Sequence, residues 1–261
     1  MPPVPKFCAN LSFLWKDLDP PARIHAAAAV GFDAVEILFP YDTPAQDMRR
    51  ALDATGLVLA LINCPPPNYT GGARGFAAVP ADRDRFRTDF RRALRYAQTL
   101  KAQHLHIMSG VAEGDDARAC LIDNLTWACA EAPDQSLTIE PINPHDMPGY
   151  FLNDFDLAAQ VIDAVGAPNL GLQFDAYHAH RITGDLAATW ARHGARVRHV
   201  QFADHPGRHE PGSGEIDLAA FFTRLDADGY DGWASAEYAP AGDTDDGLGW
   251  LRDQPAAPAA K

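Results

Sequence analysis

The stretch DAVGAPNLGLQFDAYH, residues 163–178, contains the pattern that decides the fold. A helical pattern ends at Gly166, an apolar run follows, and that run reaches an acidic residue at Asp175. Glycine suits the left-handed position after a helix because it has no Cβ to clash there. A short apolar run bounded by turn residues indicates a buried strand. The stretch therefore predicts a helix end, a turn and then a strand.

The same order of helix end, glycine and strand returns in AVGFDAVEI (29–37), DATGLVLAL (53–61) and DADGYDGWASAE (226–237). Eight strand-like runs are found, at 7–14, 34–40, 57–63, 104–109, 137–143, 170–178, 197–204 and 232–238. Helical stretches alternate with them, at about 20–30, 44–55, 80–100, 115–132, 154–165, 185–194 and 217–228. Eight such units favour a closed parallel barrel over an open sheet. We predict a single (β/α)8 TIM barrel over residues 1–252 and a disordered Pro/Ala-rich tail at 253–261.

Composition limits the classes of partner. The chain has 261 residues, 47% of them hydrophobic, and a formal net charge of −13. So acidic a protein repels phosphate backbones and anionic lipid, which argues against nucleic acid and membrane partners. No apolar run approaches the roughly 20 residues of a membrane span, and no signal peptide or dinucleotide-binding glycine motif is present. The four cysteines form no C-x-x-C pair. We expect a cytoplasmic protein with a small-molecule substrate; the sequence leaves homo-oligomerisation open.

Four of the predicted strands carry oxygen donors at or near their carboxyl ends, namely Glu140, Asp175, Gln201 and Glu237. In a TIM barrel this end holds the active site, so the four side chains are expected to converge. A lone carboxylate there could be structural, as a helix cap or an arginine partner, but three converging carboxylates repel one another unless a cation is present. Three acids and an amide oxygen suit one Mg²⁺ or Mn²⁺ ion.

Two of these acids can also move protons. A cation bound to a carbonyl and its neighbouring hydroxyl acidifies the C–H between them. One carboxylate can remove that proton and a second can return it to the adjacent carbon. Glu140 and Glu237 are the candidates for this acid/base pair, because their strands are expected to face each other across the barrel mouth.

Other polar residues are candidates for substrate binding. His178 follows Asp175 by three positions, and His106 lies in the fourth strand, although a strand histidine is often a satisfied core group. Arg208 can grip an anionic substrate bidentately, or can pair with a surface acid. Asn63 ends the third strand and is expected to line the mouth. Glu36, in the second strand, either lines the mouth or forms a structural pair with an arginine.

Two further histidines follow the seventh strand. His205 and His209 have the spacing of two metal ligands on one helix turn. Pro206 and Gly207 stand between them, and a proline-glycine pair argues against a helix. A loop is therefore predicted here.

Several longer segments resemble hydroxypyruvate isomerase and its close relatives, within the xylose-isomerase-like TIM barrels. They are ANLSF (9–13), GFDAVEILFPY (31–41), HIMSG (106–110), IEPINPHDMPGYFL (139–152), LQFDAYH (172–178), HVQFAD (199–204), RHEPGSGEID (208–217) and GLGW (247–250). The resemblance implies interconversion of hydroxypyruvate and 2-hydroxy-3-oxopropanoate (tartronate semialdehyde) through a cis-enediol. It also implies that the four oxygen donors bind the metal, that Glu140 and Glu237 are the acid/base pair, and that His178 and Arg208 contact substrate.

Alternatives remain within this superfamily and outside it. The resemblance extends to isomerases of 2-oxo-tetronates, which are one carbon longer. Related sugar epimerases usually have histidine where this chain has Gln201, which favours the isomerase branch. A keto-inositol dehydratase would use the same metal but expel water. A metal-dependent endonuclease needs more histidine ligands and a basic face, and the acidic net charge of this chain argues against such a face. The last alternative is a barrel that binds a small molecule without catalysis.

Overall fold

The computed structural model describes residues 5–64 and 74–252. Within them, eight parallel strands close into a barrel in chain order, and β1 pairs with β8 to complete it. The strands are β1 Lys6–Asn10, β2 Ala34–Glu36, β3 Val58–Asn63, β4 His104–His106, β5 Ser136–Ile139, β6 Leu170–Asp175, β7 Val197–Phe202 and β8 Trp233–Ala236. The predicted (β/α)8 barrel is confirmed, while the tail 253–261 lies outside the described residues.

Helices cover the outside of the barrel. They are α1 Pro20–Ala29, α2 Ala45–Thr55, α3 Arg83–Leu100, α4 Gly114–Glu131, α5 Phe155–Val165, α6 Ala176–Thr183, α7 Leu186–His193, α8 Leu218–Ala227 and α9 Gly249–Arg252. Gly56 and Gly166 end α2 and α5 with φ of 74° and 62°, in the left-handed region that favours glycine. Among the described residues, no helix is long and apolar enough to cross a membrane.

The strands are shorter than the sequence predicts, and two helices, α6 and the short α9, are not among the predicted ones. The run 170–178 was predicted as one strand, but β6 ends at Asp175 and α6 begins at the next residue. The Asp175 carboxylate accepts a hydrogen bond from the Tyr177 backbone N–H and so caps α6. Residues 176–179 are all buried, so they lack the polar alternation that would have marked a helix.

An aromatic cluster closes the side of the barrel where β1, β7 and β8 meet. The rings of Phe7, Phe202 and Phe222 pack edge to face, with centroids 4.9 to 5.9 Å apart. Trp250 of α9 packs on Phe7 and Phe202 at 5.1 and 5.2 Å. Aromatic burial of this kind contributes both apolar area and specific ring geometry. The C-terminal helix therefore stabilises the closure of the barrel.

Candidate active site

The four predicted oxygen donors lie together at the carboxyl end of the barrel. Glu140 and Glu237 directly follow β5 and β8, Asp175 ends β6, and Gln201 lies in β7. All four are buried, with at most 6% of their surface exposed. Glu140, Gln201 and Glu237 line a cavity of about 730 Å³ at the barrel mouth, whereas Asp175 lies behind this lining.

A glutamine that sequence reasoning missed connects the donors. The Gln173 amide nitrogen donates to Glu140 Oε2 at 3.1 Å and to Gln201 Oε1 at 2.7 Å. The Gln201 amide nitrogen in turn donates to Glu237 Oε2. Glu140 and Glu237 are therefore the two ends of one hydrogen-bonded chain. The signal was available, because Gln173 and Asp175 are two residues apart on a strand and so share a face.

Below this hydrogen-bonded series of side chains, Glu36 is fully buried in the barrel interior. It accepts hydrogen bonds from Asn10 Nδ2 at 2.7 Å and Gln201 Nε2 at 2.5 Å, and its Oε2 lies 2.5 Å from His199 Nε2. Burial raises the pKa of Glu36 to about 7, although the hydrogen bond from Gln201 opposes the rise. Glu36 therefore makes a structural pairing, as one of its two predicted alternatives has it, but its partners are a histidine and two amides rather than an arginine.

Arg208 is the cation that reaches this acidic group. Its Nη2 lies 3.0 Å from Asp175 Oδ2 and 2.6 Å from Glu237 Oε1. Its guanidinium lies between the rings of Phe13 and Tyr177, 5.4 and 5.0 Å from their centroids. Arg208 therefore pairs with two buried acids and not with a surface acid, and it lines the cavity at the same time.

The loop between β7 and α8 carries Arg208, which has a backbone φ of 56°. That conformation is uncommon for a residue with a Cβ. The predicted loop at His205–His209 is confirmed, since neither residue lies in a helix. His209 Nδ1 lies 2.7 Å from the Ala239 carbonyl, away from the acids of the mouth.

The electrostatics of the three acids suit a divalent cation. Burial, followed by the charges of Glu237 and Asp175, raises the pKa of Glu140 well above its usual value. Burial also raises the pKa values of Asp175 and Glu237, although Arg208 opposes both shifts. One guanidinium does not neutralise three buried carboxylates. Three carboxylates and one amide oxygen are donors that hard cations such as Mg²⁺ and Mn²⁺ prefer, so the residues present fit such an ion.

His178 lies between two of the acids as a neutral imidazole. Burial lowers its pKa well below the usual value, and the charges of Arg208 and Arg181 add to that effect. Asn143 Oδ1 accepts two backbone N–H groups, so its amide nitrogen donates to His178 Nδ1 at 2.7 Å. The proton of His178 is therefore on Nε2, which faces Asp175 Oδ2 at 3.6 Å. In this tautomer the Nε2–H is a hydrogen-bond donor that is directed at the acids of the mouth.

Asn63 and His106, the other two residues predicted to bind substrate, differ in their position relative to the cavity. Asn63 lines the cavity, and its buried Oδ1 makes no hydrogen bond with the described residues. His106 is fully buried with its Nε2 3.6 Å from Glu140 Oε2, and it is not among the residues that line the cavity. Burial lowers its pKa to about 3. The structure thus brings Asn63 to the mouth and puts His106 behind Glu140. Arg74, which sequence reasoning missed, also lines the cavity.

Fold and site together define a TIM barrel with a group of buried acidic side chains at its mouth. The family model for xylose isomerase-like TIM barrels matches residues 24–254. The chain belongs to this family, which confirms the resemblance drawn from its sequence.

Individual relatives are similar over nearly the whole chain. The 2-oxo-tetronate isomerase of Cupriavidus necator is 44% identical over 255 residues, which cover 95% of this chain and 98% of that protein. The hydroxypyruvate isomerase of Escherichia coli is 36% identical and covers 94% of this chain and 98% of its own length. A crystal structure described as AP endonuclease, family 2, from Brucella melitensis is 38% identical, with a TM-score of 0.92 and coverage of 95% and 98%.

Proposed function

We propose that this enzyme is a metal-dependent isomerase that interconverts the ketone and aldehyde forms of a small hydroxy-carbonyl acid. The relatives named as isomerases support an isomerase, and they cover almost the whole chain at 36% and 44% identity. The observation that carries the proposal is the hydrogen-bonded chain from Glu140 through Gln173 and Gln201 to Glu237. These hydrogen bonds hold two buried carboxylates, those of Glu140 and Glu237, at opposite ends of one set of oxygen donors.

Glu140, Asp175, Gln201 and Glu237 would hold the cation, with Mg²⁺ or Mn²⁺ favoured by their oxygen donors. When bound, the ion offsets the repulsion among the three acids and polarises the substrate carbonyl. Arg208 neutralises part of the charge on Asp175 and Glu237.

The chain's own residues then divide the proton transfers. Glu140, as a carboxylate, removes the proton from the hydroxyl-bearing carbon, which leaves an enediolate. Glu237, as a carboxylic acid, delivers a proton to the neighbouring carbon, while the hydroxyl proton passes from one substrate oxygen to the other. Proton exchange with water then returns Glu140 and Glu237 to their starting states, so no atoms are gained or lost. The Nε2–H of His178 donates to a substrate oxygen. Arg208 binds the substrate carboxylate, in the role that the sequence predicts, and Asn63, which the sequence predicts to line the mouth, binds a hydroxyl.

Two substrates fit this chemistry, hydroxypyruvate and a four-carbon 2-oxo-tetronate. Hydroxypyruvate is the substrate implied by the resemblance of the motif segments. The longer acid is favoured by the higher identity, 44% against 36%, to the relative named for it. The cavity of about 730 Å³ has room for either acid.

Nucleic-acid cleavage is less well supported, although one similar crystal structure is titled an AP endonuclease. The net charge of −13 opposes a phosphate backbone. Among the described residues, the potential metal-ligand group at the mouth, Glu140, Asp175 and His178, contains a single histidine. Within the described residues, the group at the mouth therefore lacks the several histidine ligands that the endonuclease alternative requires.

The test is an NMR assay of the purified protein with hydroxypyruvate and with a four-carbon 2-oxo-tetronate, with and without a chelator. The proposal predicts an isomer of unchanged mass from at least one acid, and loss of turnover when the metal is removed. A product lighter by one water would indicate the dehydratase instead. Turnover that persists after complete metal removal would contradict the metal dependence.

A further inference from the structure

A second cluster of potential metal ligands lies outside the barrel mouth. It contains His180 of α6, and His205 and Glu215 of the loop between β7 and α8. One ligand atom from each of these residues lies within 4.8 Å of the other two. We propose that His180, His205 and Glu215 bind a second metal ion, of the zinc type, which ties this loop to α6.

A buried aspartate fixes the loop that carries two of the ligands. Asp204 is fully buried, and its Oδ1 accepts the backbone N–H groups of His205 at 2.8 Å and Ile216 at 2.9 Å. Its Oδ2 accepts those of Gly212 at 3.0 Å and Gly214 at 2.8 Å. Four charge-assisted hydrogen bonds to one carboxylate hold both ends of the loop in a single conformation. The ligands are thus carried on an ordered backbone.

The two loop ligands are also tied directly to each other. The Glu215 backbone N–H donates to the His205 carbonyl at 2.7 Å. Between them, a Cβ on Gly214 would overlap that same carbonyl, so the close approach depends on glycine. The third ligand, His180, lies in the last turn of α6, which begins directly after Asp175. Two separate elements therefore present donors to one point.

Two of the three donor separations match a small coordination sphere, and the two imidazole nitrogens lie within 4.8 Å of each other. Glu215 Oε1 lies 3.0 Å from His205 Nδ1 and 3.2 Å from His180 Nε2. Tetrahedral zinc, with ligand bonds of about 2.0–2.2 Å, requires donors roughly 3.3 Å apart. The observed separations are thus within a few tenths of an ångström of that value. An ion could enter with only small side-chain movements.

The residue types separate this cluster chemically from the mouth. Two imidazoles and one carboxylate suit Zn²⁺, and Cu²⁺ or Ni²⁺ by the same donor preference, whereas the oxygen donors of the mouth suit Mg²⁺ or Mn²⁺. The Glu215 side chain is 60% exposed, so water has access to the remaining coordination position.

A simple ion pair explains the cluster less well. Both imidazoles converge on the same oxygen of Glu215, and their ring centroids are only 5.4 Å apart. An exposed His–Glu pair contributes little to the stability of a protein, so it gives little reason to bring a second imidazole to the same atom. A shared cation satisfies all three groups at once.

The proposed ion would act on the position of the loop and not on the chemistry. The ring of Tyr177 lies 6.1 Å from that of His205 and 5.0 Å from the Arg208 guanidinium. The cluster is therefore one aromatic ring away from Arg208, on the same loop. The proposal is independent of the reaction at the mouth.

The experiment is a titration of the tag-free, chelator-stripped full chain with zinc chloride against a chromophoric chelator of known affinity. The wild type and the Asp175→Asn variant are compared with His180→Ala, His205→Ala and the conservative His205→Gln. His25→Ala is the matched control, because His25 is exposed on α1, far from the cluster in sequence. Circular dichroism checks that each variant is folded.

We expect each of the three cluster variants to lose one equivalent of zinc relative to the wild type. His25→Ala should lose none, and Asp175→Asn should keep the equivalent that the cluster variants lose. X-ray absorption at the zinc edge of Asp175→Asn should show two imidazole ligands. Unchanged zinc stoichiometry in His180→Ala and His205→Ala, or a zinc spectrum without imidazole, would overturn the proposal.

Discussion

The guanidinium of Arg208 lies 2.6 Å from Glu237 Oε1, inside the acidic group at the barrel mouth. The same nitrogen also reaches Asp175, so one cation is shared by two buried carboxylates. Because Arg208 also lines the cavity, it is placed to exchange these partners for a substrate carboxylate. Under the proposed function, this relationship would connect the binding of an acidic substrate to the charge state of Asp175 and Glu237.

Replacement of Arg208 by Ala is expected to raise KM for the acidic substrate by roughly 10- to 100-fold, the effect of losing a charge-assisted hydrogen bond of about 1.5–3 kcal/mol. A neutral hydroxy-ketone analogue should be affected much less, since it offers no carboxylate. Steady-state kinetics on both compounds checks this. Arg196→Ala, which removes a surface ion pair with Asp163, is the control. An equal rise for both compounds would remove Arg208 from the role of carboxylate clamp.

Gln173 is expected to matter for metal affinity although it is not a proposed ligand. Gln173→Leu keeps a similar volume but removes the amide that donates to Glu140 and Gln201. Loss of such an orienting partner typically weakens metal binding by about 10- to 100-fold. Titration of the chelator-stripped protein with Mn²⁺ measures it. Wild-type affinity in a folded Gln173→Leu variant would show that the hydrogen-bonded chain does not organise the donors.

A partly buried histidine at the start of β4 is expected to make stability depend on pH. Burial, with the charges of His199 and Arg198, lowers the pKa of His104 to about 3. The unfolded chain binds a proton on this histidine below about pH 6.5, so the native state loses stability as the pH falls below that value. One such group contributes a slope of at most about 1.4 kcal/mol per pH unit.

Urea unfolding at several pH values between about 6.5 and 5 measures this slope. His104→Asn should have the shallower dependence, whatever its absolute stability. His25→Asn, at an exposed site, should match the wild type. A slope in His104→Asn as steep as in the wild type would show that other groups carry the whole effect.

The barrel could be predicted from sequence because its signals are local. Glycine follows several of the helices, and apolar runs recur at regular spacing. The strand ends were less predictable. Residues 176–178 are buried on every side, so the helix that starts at Ala176 was indistinguishable from an extended strand by apolar pattern. The capping by Asp175 became evident only from its hydrogen bond to the Tyr177 N–H.

The site was predictable where a charged residue closes a strand, and less so elsewhere. Glu140, Asp175 and Glu237 stood out as acids in apolar surroundings. Gln173 and Asn143 are uncharged, and their importance comes from partners on other strands and loops. Such partners are far apart in the chain, so no local spacing predicts the hydrogen bonds. Arg74 reaches the cavity from a segment whose path the sequence does not indicate.

The central claim is that Glu140 and Glu237 transfer the proton, and Glu237→Gln tests it most directly. Turnover of the preferred acid is measured by NMR, together with the metal content of the same sample. Glu113→Gln, at an exposed position, serves as the control. We predict a fall in kcat of at least about 10²- to 10⁴-fold, the usual contribution of general acid–base catalysis, with some metal still bound. Wild-type turnover in a folded Glu237→Gln variant would contradict the two-carboxylate account.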